Sequence, residues 1–206
     1  MVKEGIPFVL ATLVIAGFFA ALFYFFGGVI PVIGIVLFCF LAIFMAYFFR
    51  DPQRTSPTEA DIIISAADGR VTRVEDREEG KFVSVFLSPL DVHVNRAPIA
   101  GTVVKVDYVK GKKNPATSDR ASLINERNSL TIEGEKMTVV CTQIAGIVAR
   151  RIVCWSKKGD NLALGEKFGL IKFSSRTDLL MPVDVEVLVK VGDRVRGGET
   201  IIAKLN

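Results

Sequence analysis

Charge is missing from the first quarter of this 206-residue sequence: Gly5 to Phe49 contains no Asp, Glu, Lys or Arg. An apolar run of 45 positions is far longer than the roughly 7–15 residues of a cleaved leader's core. No small-residue cleavage site followed by a mature start stands out either. The run exceeds one bilayer crossing and suits two of about 20 residues each. Eleven of the 15 phenylalanines lie in it, the composition of a lipid-facing segment. Gly27, Gly28 and Pro31 open a tight connection midway, which predicts helices over 6–26 and 32–49 in a hairpin. A single tilted span preceded by an interfacial helix is the alternative.

Histidine is nearly absent. His93 stands alone, so an imidazole titrating near neutrality can come from nowhere else. Cysteine is scarce too: Cys39 lies in the apolar run, and Cys141 and Cys154 sit among apolar neighbours. With no CxxC spacing, buried free thiols are expected and no metal site is. From Asp51 onward, 24 Lys and Arg oppose 21 Asp and Glu, a net of +3 that does not argue for nucleic acid. It suits an anionic membrane surface, where each nearby basic side chain contributes about 1 kcal/mol, and equally an ordinary solvated surface. A hairpin puts both ends on one side, and Lys3, Arg50 and Arg54 beside the apolar run favour the cytoplasmic side of the cell membrane, modestly because Glu4 and Asp51 sit next to them.

Long apolar periodicity of 3.6 residues is also missing beyond residue 50. Instead there are short apolar, β-branched runs: Ile62–Ile64, Arg70–Val74, Lys81–Leu87, Gly101–Val109, Ser129–Ile132, Met137–Ile144 and Gly146–Cys154. They predict a mainly β domain. We divide the chain into a membrane anchor (1–50), a turn-rich linker (51–60) and a β domain (61–206). The polar stretch 110–128 reads as a long surface loop with room for a helical turn, of a length that is uncommon unless the loop is mobile or functional. Near the C-terminus, Lys157-Lys158-Gly159-Asp160 and Gly165-Glu166 recur 33 residues later as Lys190-Val191-Gly192-Asp193 and Gly198-Glu199. Two such units flanking a hairpin resemble the quasi-symmetric β-sandwich of lipoyl and biotinyl domains. Carrier domains hold a lysine at the hairpin tip, whereas Asp178 to Pro182 contains none, which argues against a carrier.

Between the repeats lies Phe168 to Pro182, with the adjacent hydroxyls of Ser174 and Ser175 followed by Arg176. Alone, the pair reads as turn residues of a β-hairpin. Three other segments hold candidate chemistry. Asp68 stands in an Asp-Gly turn ahead of a strand, His93 lies two residues after Asp91 in a proline-bounded segment, and Asn125 to Ser129 is a polar cluster before a strand.

In order along the chain, these segments resemble the phosphatidylserine decarboxylase family in its short form with a membrane hairpin. The resemblance rests on FFRDPQR (48–54), SAADGRV (65–71), LSPLDVHVNRAPIAGTV (87–103), NERNSL (125–130), QIAGIVARRIVC (143–154) and KFGLIKFSSRTDLLMP (167–182). The archaeal enzymes acting on archaetidylserine belong to the same group. The resemblance implies a proenzyme that cleaves itself between Ser174 and Ser175 and converts Ser175 to a pyruvoyl group, its cofactor. The serine amine of the phospholipid would condense on that group, lose carbon dioxide and leave the ethanolamine lipid. It implies Asp68 in self-cleavage and His93 as the acid beside the substrate. Asp91 and Arg127, with His93, are substrate-binding candidates; Arg150 and Arg151 suit a phosphate but read as easily as strand-edge charges. A phospholipid, a membrane and a second copy of the chain are the partners expected. Two positions depart from the family pattern: Ser174 stands where glycine is usual, and Arg96 where longer members carry a second histidine. A non-enzymatic membrane adaptor and a proenzyme that never matures are the competing readings.

Overall fold

The computed structural model describes residues 1–111, 124–146, 151–172 and 175–206. The chain forms two units, Met1–Pro52 and Gln53–Asn206.

The first unit is a short 3-10 turn (Lys3–Gly5) followed by helix α1 (Ile6–Phe26) and helix α2 (Val29–Phe48). Both helices are long and apolar enough to cross a membrane. The second begins three residues earlier than the expected 32, because Pro31 falls in its first turn, where a missing N–H costs nothing. Gly27 and Gly28 adopt φ of 64° and 91°, the left-handed region that lets the chain reverse between the helices. Gly34 gives the close approach: a Cβ there would lie 2.4 Å from the ring of Phe19, which stacks on Phe38. Most other side chains of the pair face outward and are apolar.

The second unit is built of fourteen strands among the described residues. Eight form a curled antiparallel sheet in the order β13 (Arg194–Val195), β2 (Gly69–Arg77), β3 (Gly80–Leu87), β11 (Ser175–Met181), β7 (Thr138–Ala145), β6 (Arg127–Glu133), β5 (Gly101–Val109) and β9 (Asn161–Leu162). A three-stranded sheet has the order β4 (Val94–Arg96), β10 (Lys167–Lys172), β8 (Arg151–Cys154). Another has β1 (Ile62–Ile64), β14 (Ile201–Leu205), β12 (Val185–Val187). The mainly β architecture agrees with the short alternating runs of the sequence. The core lies on one face of the large sheet, where Val71, Val83, Leu130, Ile132, Phe168 and Leu179 are fully buried.

One expectation is corrected. β10 and β11 do not pair as a hairpin: β10 pairs with β4 and β8, and β11 pairs with β3 and β7. Asp178 to Met181 therefore lies within a central strand, not at a hairpin tip. The chain changes sheets between Lys172 and Ser175, and its neighbours do the same. β3 leads into β4, and β7 into β8, so three adjacent strands of the large sheet continue as three adjacent strands of the small one. Ser174 and residues 112–123 and 147–150, which include most of the expected surface loop and Arg150, lie outside the described residues.

The sequence repeat is a structural one. Gly159 and Gly192 donate to the carbonyls of Val103 and Val71, and Gly165 and Gly198 to those of Ala97 and Ser65. All four glycines have φ between 75° and 100°, which explains why glycine recurs there. Their acceptors reveal a second repeat: Ser65 to Val71 and Ala97 to Val103 are equivalent, each with a glycine opening its strand (Gly69, Gly101).

Candidate active site

Ser175 is the first residue of β11 and is fully buried. It pairs with Leu87 on one side and Ala145 on the other. Its Oγ has no hydrogen-bond partner among the described residues. A buried hydroxyl left so costs about 1–3 kcal/mol, which a residue used only to break a turn would not incur. A reactive serine, whose hydroxyl must be free to attack, suits such a place, and so does the small ketone that the family pattern would put at this position.

The strand alternation sorts the neighbours of Ser175 onto two faces. Arg176 and Asp178 point away from it and form a buried two-point ion pair, Nη2 to Oδ2 and Nε to Oδ1, each 2.9 Å. Ser84 Oγ donates to the same carboxylate at 2.6 Å. Burial pushes the Asp178 carboxyl up and Arg176 opposes it. Losing one partner of such a pair costs about 3–5 kcal/mol, so this ion pair anchors β11. Arg127 belongs to that face as well, since it lies in register with Ile144 and Arg176. With Arg77 and Asp178 it lines a cleft on the side of the sheet opposite Ser175.

On the Ser175 face, a chain of side-chain hydrogen bonds runs through the core. Asn128 Nδ2 donates to Gln143 Oε1 (3.1 Å), Gln143 Nε2 to Asn95 Oδ1 (2.8 Å), and Asn95 Nδ2 to Thr177 Oγ1 (3.1 Å). All four side chains are buried. Asn95 Nδ2 also faces the Ala66 carbonyl at 3.5 Å, and a carbonyl can only accept, which fixes the orientation of both amides. Gly169, paired with Asn95 and Cys154, makes room: a Cβ there would lie 3.0 Å from Gln143 Nε2 and 2.4 Å from the Val153 carbonyl. These bonds thus tie four of the other sequence segments to the one that contains β11. Asn95, Gln143 and Thr177 were not singled out from sequence, where a polar residue in a strand gives no sign of its partner.

His93 lies in the crossing from β3 to β4, almost fully buried. Ile171 N donates to its carbonyl at 3.3 Å, which seats it beside the strand that leads to Ser175. Its Nδ1 lies 3.0 Å from the Asp91 carbonyl. Since that oxygen can only accept, Nδ1 carries a hydrogen. The Asp91 carboxylate is turned elsewhere: it accepts from Ser88 N (2.8 Å) and Ser88 Oγ (2.7 Å), with Arg194 at 3.8 Å. Asp91 therefore shapes the loop and holds His93 through its backbone.

Asp68 precedes β2, two strands across from β11, and so about 10 Å from it at the strand spacing of a sheet. Its Oδ2 accepts from Arg54 Nη2 at 2.7 Å and its Oδ1 from Gly197 N at 2.8 Å. Burial pushes its carboxyl up, and the Gly197 amide and Arg54 pull it down. Arg54 also reaches Glu199 at 3.1 Å, and nearby Ser56 Oγ donates to the Leu164 carbonyl at 3.2 Å. The stretch expected to be a linker thus lies across both repeated glycine turns.

The geometry seats the backbone of His93 beside β10, ties Asn95 to Thr177 on the Ser175 face of β11, sets Asp68 to one side with Arg54, and puts Arg127 on the opposite face. A sequence model of phosphatidylserine decarboxylases matches residues 41–203. The chain is 44% identical to a phosphatidylserine decarboxylase proenzyme of Magnetococcus marinus, over 98% of this chain and 94% of that one. It is 42% identical to the protein of the same name from Geobacter metallireducens, over 98% and 95%. With that of Gluconobacter oxydans the identity is 49%, over 79% and 77%.

Proposed function

The chain belongs to the phosphatidylserine decarboxylase family, and on that footing we propose that it cuts itself between Ser174 and Ser175 and then decarboxylates phosphatidylserine at a membrane surface. The observation that carries this reading is the buried hydroxyl of Ser175, which has no hydrogen-bond partner among the described residues, at the start of β11.

In the first step the Ser175 hydroxyl attacks the carbonyl carbon of residue 174. An ester bond forms, the peptide C–N bond breaks, and the hydroxyl proton ends on the released amine. Loss of the Ser175 Cα proton then expels the ester carboxylate as the C-terminus of a 1–174 chain. Water replaces the nitrogen, ammonia leaves, and residue 175 becomes a pyruvoyl group opening a 175–206 chain. That group supplies a ketone for a primary amine and a sink for the electron pair released with carbon dioxide. The protein supplies position and protons.

Asp68, its carboxylate turned to Arg54 and Gly197, serves the cleavage as a base through a relay rather than by touching the Ser175 hydroxyl. His93, with Nδ1 committed to the Asp91 carbonyl, presents Nε2 as the atom that takes up and returns a proton. The Arg176–Asp178 pair and the strand partners on both sides hold the new end at residue 175 after the cut. The two apolar helices anchor the enzyme in the bilayer that holds its lipid, and Lys3, Arg50 and Arg54 favour the cytoplasmic side.

Intact-mass measurement of the purified chain, with release of carbon dioxide from phosphatidylserine vesicles, tests the proposal. A fragment of residues 175–206 carrying a ketone, together with turnover, is expected, and Ser175→Ala abolishes both. An uncut wild-type chain of 206 residues, or a Ser175→Ala variant that still decarboxylates, overturns it.

A further inference from the structure

Arg54 sits in a segment that reads as a linker, yet its side chain is only 9% exposed. Extracting a guanidinium from water into such a place is costly unless charges and hydrogen bonds replace the water. Two carboxylates do so. One is Asp68, at 2.7 Å, and the other is Glu199, at 3.1 Å. Other charged and polar groups lie close by among the described residues, including Arg96, whose side chain packs on Gly198 beside Arg54 and donates to the Gly165 carbonyl. Gly197 N meets its second oxygen, and Asp91 adds a repulsive charge. Arg194 faces Asp91, and Arg196 lies 3.8 Å from Glu199. Of these, Arg54 is the one cation in a short hydrogen bond with Asp68.

We infer that Arg54 is a positioning residue for self-cleavage, holding Asp68 as the carboxylate in one orientation and so linking maturation to the seating of residues 53–56 on the domain. The inference rests on the role proposed above for Asp68. A carboxylate in this half-buried site, with Asp91 and Glu199 nearby, would take up a proton more readily without its cation. A neutral carboxyl cannot act as a base. Seating matters because Arg54 does not hold itself in place: two residues later Ser56 fixes the same stretch to the Leu164 carbonyl.

The test uses the full-length chain and three readings. At neutral pH, Arg54→Met should cleave at least about tenfold more slowly than wild type, because a general base contributes 10²–10⁴. The acid limb of its cleavage rate should move to higher pH. Arg54→Lys, which keeps the charge but not the two-carboxylate fork, should recover much of the rate. The third reading does not depend on cleavage at all. In the Ser175→Ala background, NMR titration of labelled aspartate should show the Asp68 carboxyl protonating at higher pH when Arg54 is Met. An unmoved titration overturns the inference, as does slowing that is uniform at every pH with Lys no better than Met. An uncut wild type would overturn the proposed function instead, and the titration would still decide the role of Arg54.

Discussion

The two glycine turns that recur near the C-terminus are built alike and used differently. Both bury their glycines against the same kind of carbonyl, and both have a glutamate next in sequence. In the first, Glu166 folds back to accept from Ala163 N at 2.8 Å and so closes its own turn. In the second, the equivalent amide, Arg196 N, is satisfied by Thr200 Oγ1 at 2.9 Å. Glu199 is thereby released to hold Arg54, and the Gly197 amide is turned to Asp68. The same holds for the segments these turns pack on, where Asp68 occupies the place of Ala100. The quasi-symmetric scaffold thus closes one turn on itself and, with a hydroxyl cap in the other, turns that copy's glutamate and glycine amide to Arg54 and Asp68.

The features common to both copies should matter most for folding. A Cβ at Gly69 would lie 2.1 Å from the Phe86 carbonyl, with φ at 153°, and one at Gly101 would lie 2.3 Å from the Glu133 carbonyl. Backbone atoms cannot yield as a flexible side chain does. Gly69→Ala and Gly101→Ala are therefore each expected to destabilise the domain by about 2–4 kcal/mol, seen as a lowered melting temperature. If one were silent, the two segments would not be equivalent in their packing.

The features that differ should separate activity from stability. Asp68→Asn keeps the size and the acceptor for Gly197 N but turns an N–H towards Arg54. Cleavage should fall by about 100-fold or more, while stability falls by only about 1–2 kcal/mol. Ala100→Ser, at the equivalent place, should leave cleavage as in wild type. A gel assay of the 175–206 fragment over time reads both variants, and equal effects would erase the functional difference between the copies.

Much of the fold was legible in the sequence, because alternating apolar residues, turn glycines and an uncharged run act through local rules. Gly101–Val109 and Ile62–Ile64 fall where the pattern puts them. Strand partners were not legible. The residues on either side of Ser174-Ser175 look like a hairpin because they are contiguous, whereas the pairing that forms joins Ser175 to Leu87 and Ala145. The site divides in the same way. Ser175, His93 and Asp68 stand out by residue type and by resemblance, but Arg54 and Asn95 acquire meaning only through partners 14 and 82 positions away. The equivalence of Ser65–Val71 with Ala97–Val103 is hidden for a related reason: only the glycine and the closing valine are shared between the two segments.

The smallest expected effect discriminates most finely, because it has a sign. Glu199 competes with Asp68 for Arg54 and adds its own negative charge nearby. Glu199→Gln removes both influences, and each removal favours the charged form of Asp68. The acid limb of the cleavage rate should therefore move to lower pH, opposite to the shift expected for Arg54→Met. At neutral pH the rate should stay close to wild type, and in the acid limb it should rise by about two- to fivefold. Glu166→Gln keeps an oxygen for Ala163 N and touches no second charge, so it should shift neither limb and cost at most about 0.5 kcal/mol. Were Glu199→Gln to move the limb upward, Glu199 would be supporting the Asp68 carboxylate by holding Arg54 in place rather than drawing it away, and the second turn would act as a clamp instead of a competitor.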